Sequence, residues 1–171
     1  DRSQLWLAAL AADGHLVGAR PVAGSDAAAA RGISVFQPLW AGDDLVVAND
    51  RGGWWNLERL AGASALAPTD QPLWQPLLPM QAEFAMPQWI YGMRTTAWDG
   101  QQLLAAACVE GRWQLGRLRE ERDTDARPGA ETAPCSWQPI TTPCDDLADL
   151  VAAPGQLVVV ASGPEIGRAH V

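Results

Sequence analysis

Apolar residues come in short runs separated by clusters of turn formers. Leu45-Val46-Val47-Ala48 precedes Asn49-Asp50-Arg51-Gly52-Gly53, and Trp54-Trp55-Asn56-Leu57 follows. Two apolar runs around such a cluster predict a β-hairpin, because Asn, Asp and Gly tolerate the backbone of tight turns. The shape recurs at Leu103-Leu104-Ala105-Ala106-Ala107-Cys108-Val109, then Glu110-Gly111-Arg112, then Trp113-Gln114-Leu115. It begins a third time at Gln156, with Leu157-Val158-Val159-Val160-Ala161 ahead of Ser162-Gly163.

The strand after each hairpin carries a repeated signature. Leu5, Leu7 and Leu10 are matched by Trp55, Leu57 and Leu60, and these by Trp113, Leu115 and Leu118, at offsets of 50 and 58. Ahead of the hairpins stand Pro38-Leu39-Trp40 and Pro87-Gln88-Trp89, offset by 49. Repeats of roughly 40–50 residues, each holding several short strands, mark a β-propeller. A single blade cannot bury both of its faces, so bulky apolar residues recur where blades stack. That accounts for the nine Trp without a ligand. The expected fold is all-β: a partial propeller of about three blades, each a four-stranded antiparallel sheet, truncated at both ends.

Between the repeats, residues 119–134 are polar and read as a solvated loop rather than an acidic binding tail. Ala27-Ala28-Ala29-Ala30, between Gly24 and Gly32, also reads as a loop. The domain is expected to cover residues 1–164. Residues 165–171, Glu-Ile-Gly-Arg-Ala-His-Val, match the translation of a common sequencing adapter. They are expected to be a non-native tail, which leaves His15 as the one native histidine.

Composition narrows the function. The 171 residues include 20 acidic and 12 basic ones, a net charge of −8, and every basic residue is Arg. That balance argues against nucleic acid as a partner. No apolar run approaches the ~20 residues of a membrane-spanning helix, so no membrane partner is expected. Cys108, Cys135 and Cys144 are odd in number and irregularly spaced, which fits neither a disulfide framework nor a zinc site. They read as buried or loop thiols, with a lean toward a reducing, cytoplasmic compartment.

Catalytic chemistry is not visible. None of the six Ser lies in a Gly-x-Ser-x-Gly elbow, and His15 sits in the turn Ala12-Asp13-Gly14-His15. There is no phosphate loop and no dinucleotide fingerprint. No catalytic, cofactor-binding or metal residue is assigned, and no cofactor is expected. Three polar spots could still face a ligand. Asp50-Arg51 could bind at a propeller rim, but the preferred reading has Asp50 capping its own turn and Arg51 pairing with a neighbouring blade. Glu83-Phe84 could face a substrate, with packing of Phe84 preferred. Asp145, Asp146 and Asp149 form a carboxylate cluster without the spacing of a calcium loop.

Four segments in order carry a family resemblance. They are Phe36-Gln37-Pro38-Leu39-Trp40, Asn49 through Leu57, Pro79-Met80-Gln81-Ala82-Glu83-Phe84, and Pro87-Gln88-Trp89-Ile90-Tyr91-Gly92-Met93. Together they resemble the propeller domain of bacterial prolyl oligopeptidase-family serine peptidases, of the acylaminoacyl-peptidase or dipeptidyl-aminopeptidase type. The resemblance runs from about Leu5 to Pro164. It departs from the usual blade pattern at Trp40-Ala41-Gly42-Asp43-Asp44, where Trp-Ser-Pro-Asp-Gly is common. It implies a missing α/β-hydrolase domain in the same protein, carrying the catalytic triad, with the propeller gating access of peptide substrates. The alternative is a TolB-like propeller that binds protein or peptide partners without catalysis, which would place it in the periplasm.

Overall fold

A computed structural model describes residues 3–24, 33–87, 92–121 and 135–163. Trp89, Ala27 to Ala30 and the 165–171 segment fall outside them. Among the described residues the chain is all-β, with no α-helix and a single 3-10 turn at Ala63–Ala65. Twelve strands form: β1 (Leu5–Leu10), β2 (Leu16–Ala23), β3 (Val35–Ala41), β4 (Asp44–Asn49), β5 (Asn56–Leu60), β6 (Trp74–Pro76), β7 (Thr96–Trp98), β8 (Leu103–Val109), β9 (Arg112–Glu120), β10 (Cys135–Ile140), β11 (Asp146–Ala153) and β12 (Gln156–Ser162). They pair antiparallel into four sheets: β1-β2, β3-β4-β5-β6, β7-β8-β9-β10 and β11-β12. This is a partial propeller. Two complete four-stranded sheets are flanked by two two-stranded ones, and the first strands β3, β7 and β11 run side by side.

The expected hairpins form. Between β8 and β9 the turn is Glu110-Gly111, with φ of 50° and 80°. Two successive positive φ values make the primed turn whose twist matches that of the flanking strands. Arg112 already belongs to β9, opposite Val109. The offset of 58 is the register of the fold. Leu45 pairs with Trp40 and Leu60, and Leu103 pairs with Trp98 and Leu118. The offset of 49 is overturned: Trp98, not Trp89, stands where Trp40 stands in the preceding sheet. The polar stretch expected to be a loop begins within β9, and its residues 122–134 lie outside the described ones. Arg119 and Glu120 are strand residues opposite Ser136 and Cys135.

Strand periodicity places the core. Val46 and Ala48 of β4 join Leu57, Leu77, Phe84, Ala105 and Leu118 in a cluster between the two complete sheets. Leu45 and Val47, on the opposite face of β4, pack toward β1 with Ile33, Val35, Leu60 and Leu5. In β8, Ala105 faces one neighbour and Ala106 the other, where it meets Leu115, Leu147 and Leu150. β4 and β8 are therefore buried on both faces, because a sheet lies against each face. Close packing also fixes small residues. Gly116 in β9 lies under the indole of Trp137 in β10, and a Cβ there would run into the ring.

Candidate functional site

The first strands build a concave inner wall. β3 contributes Gln37, Pro38 and Leu39, the segment through β7 contributes Met93, Arg94, Thr96 and Trp98, and β11 contributes Leu150 and Val151. The concavity they line is about 430 Å³. Its shape comes from a repeated irregularity. Gln37 in β3 has φ of 53°, beside a break in the β3–β4 register, and Asp149 in β11 has φ of 51° beside the matching break in β11–β12. A bulge of this kind bends the strand and re-aims the side chains beyond it. Gln37 Oε1 then accepts a hydrogen bond from the N–H of Thr95 at 2.7 Å, and the Thr95 hydroxyl lies 3.0 Å from it. On the other side, the N–H of Leu150 donates to the carbonyl of Arg94 at 2.8 Å. The segment leading into β7 is thus tied to β3 on one flank and β11 on the other.

A second polar network stands at the β4–β5 turn. Here three of the four segments that carried the family resemblance come together. Phe36 stacks on Trp55, with centroids 4.7 Å apart. The Trp55 N–H donates to the Glu83 carboxylate at 2.7 Å, and the Phe84 N–H donates to the Trp55 carbonyl at 2.7 Å. Asn56 accepts from the Met80 N–H at 2.6 Å and donates to the carbonyls of Met80 and Ala82. Phe84 is fully buried, edge-on to Trp137, and the Thr95 hydroxyl donates to its carbonyl. Glu83 also bridges to Cys108 through both backbone groups. The preferred packing reading of Phe84 holds, and the Glu83 carboxylate is engaged by the chain itself.

Asp50 departs from its expected role. Asn49, not Asp50, caps the turn, accepting from the Arg51 N–H at 2.9 Å. Asp50 instead accepts from the N–H of Ser34 at 2.8 Å, anchoring the approach to β3. Arg51 pairs with Glu58 of its own sheet at 3.2 Å. His15 is exposed in the β1–β2 turn, where its N–H donates to Asp13. Asp146 accepts from the Ser162 hydroxyl across the β11–β12 hairpin, and the backbone of Asp149 forms the bulge. Among the described residues, no three His, Cys, Asp or Glu side chains gather as a metal site would require.

Two groups are electrostatically distinctive. Cys135 is a buried free thiol, and burial followed by the charge of Glu120 pushes its pKa up to about 11. Asp99 is buried at the β7–β8 turn. Burial opposes its charge, but hydrogen bonds from the Gln102 side chain and from the N–H groups of Gln102 and Gln101 prevail and hold its pKa below 3.8. Gln37, Asn56 and Arg94 went unnoticed in the sequence. The available signal was a polar residue interrupting an apolar strand, as Gln37 does between Phe36 and Leu39.

Sheet order, bulged first strands and inner wall define the chain as part of a propeller. No family model and no curated protein matches the sequence. Solved structures do. One is a puromycin hydrolase variant crystallised with PGG, similar at a TM-score of 0.70 and 26% identity over 94% of this chain. Another is a puromycin-hydrolyzing peptidase from Mycobacterium tuberculosis, at 0.67 and 27% over 93%. The chain spans 21% of the length of each. Both neighbours agree with the resemblance to prolyl oligopeptidase-type peptidases read from the sequence.

Proposed function

We propose that this chain is the propeller portion of a peptide hydrolase, and that its inner wall restricts which molecules reach a hydrolase domain carried by the same protein. The observation that supports this is the similarity to the two hydrolases over nearly the whole chain, while each neighbour is several times longer. The inner wall fits the role. Its lining is mostly apolar and comes from strands β3, β7 and β11 together with the segment that leads into β7, so its size can limit what passes. The catalytic groups, on this reading, are supplied by the hydrolase domain, and the partners are that domain and a short peptide.

The test uses the longer protein that carries this chain. Its kcat/KM is measured on a small aminoacyl arylamide and on a longer peptide, with and without Val151→Trp on the inner wall. We expect hydrolysis of both by the parent protein, and a loss of about tenfold on the longer peptide alone in the variant. A protein that continues only as further blades and hydrolyses nothing would instead be a binding propeller. Equal loss on both substrates would remove the gating role.

A further inference from the structure

The inner wall carries one charged side chain among the residues that line it, Arg94. The same wall is lined by Leu39, Met93, Trp98, Leu150 and Val151, with Gln37 and Thr96 as its polar members. Four other arginines are engaged, Arg51 with Glu58, Arg59 with Asp44 and Glu120, Arg117 with Gln138 and Arg20 with two carbonyls, whereas Arg112 and Arg119, which do not line the wall, have no side-chain partner among the described residues. Among the described residues the Arg94 guanidinium has neither an ion pair nor a hydrogen bond, and the side chain is exposed on the concave surface. Its backbone, by contrast, is fixed. The Arg94 carbonyl accepts from Leu150, and the next residue, Thr95, is held by Gln37. A guanidinium without an internal partner, on a tethered backbone beside apolar side chains, is available to an anion on this wall.

We propose that Arg94 is a specificity-determining residue that binds the terminal carboxylate of a short peptide on the inner wall. This rests on the peptide-gating reading. The planar fork of arginine matches a carboxylate with two parallel hydrogen bonds. One cation suits one carboxylate, whereas a polyphosphate would call for several. The net charge of −8 gives anions no general attraction, so recognition must be local. The flanking apolar residues favour an apolar side chain next to the carboxylate.

The experiment titrates this chain calorimetrically with the tripeptide Ala-Ala-Phe as free acid and as C-terminal amide. The free acid is expected to bind about tenfold tighter than the amide, as loss of a charge-assisted pair implies. In Arg94→Gln the preference should vanish while amide affinity stays unchanged, and Arg94→Lys should restore part of it. The acid–amide comparison on the unsubstituted chain stands by itself if a variant does not fold. Equal affinities, a preference that survives Arg94→Gln, or no binding of either peptide would overturn the proposal. Equal affinities alongside a length-selective loss in Val151→Trp would reject Arg94 and leave the gating role standing. An acid preference without any hydrolase activity in the longer protein would do the reverse.

Discussion

Strands β4 and β12 occupy the same place in their hairpins and have nearly the same composition, yet they end in different environments. Val46 in β4 is 1% exposed, and its counterpart Val158 in β12 is 67% exposed. Both strands turn one apolar face toward the preceding sheet. Only β4 has a sheet on the other side, so Val158 and Val160 meet solvent while Val46 and Ala48 are covered. The same contrast separates Leu60 of β5, 2% exposed, from its counterpart Leu10 of β1, 73% exposed. Burial here is conferred by the neighbouring sheet, and the sequence of a strand prepares both faces for it.

The strongest test of this contrast removes a large side chain from each region. Leu60→Ala should cost about 2–5 kcal/mol through lost burial and a residual cavity. Leu10→Ala should stay within about 0.5 kcal/mol, as exposed substitutions do. Urea unfolding of the two variants gives both numbers, and comparable losses would mean that the face carrying Leu10 is covered in solution.

A second pair changes chemistry at constant shape. Val46→Thr places a hydroxyl in an apolar interior and should cost about 1–3 kcal/mol. Val158→Thr on the open face should change stability by less than about 0.5 kcal/mol. Thermal melts of the two variants, side by side, read the difference.

The smallest effect concerns the turns. The β7–β8 turn is closed by the Asp99 carboxylate, whereas β11–β12 turns through Pro154-Gly155, with Gly155 at φ of 72° and no carboxylate at the equivalent place. Because the folded protein holds Asp99 below 3.8, the group adds stability at pH above that value, and the contribution fades as pH falls through the lower folded-state value. Asp99→Asn should therefore be less stable than the parent near neutrality, with the gap closing below pH 3.8. Melts across that range measure it, and a gap that widens in acid would contradict the assignment.

Much of the fold was legible because hairpins and burial leave periodic marks. The runs at Leu45, Leu103 and Leu157 name three second strands, and the offset of 58 is the true register between the first two. The first strand β7 was misplaced because Thr96-Ala97-Trp98 is too short to show alternation, and Pro87-Gln88-Trp89 offered a closer match in letters. The inner wall was illegible for another reason. Gln37 and Arg94 act through long-range bonds to Thr95 and Leu150, and a lone polar residue reads locally as surface. Asp50 shows the same limit. Its carboxylate reaches Ser34, sixteen residues back, while Asn49 performs the capping expected of it.

Gly116 and Trp137 behave, for inheritance, as one character written at two places. With no room above Gly116 for a methyl group, a larger residue there becomes tolerable only after Trp137 has shrunk, and restoring the indole first requires the glycine. A lineage can cross between the two states only through an intermediate with a hole where the ring was. Descendants of this fold should therefore carry both residues or neither.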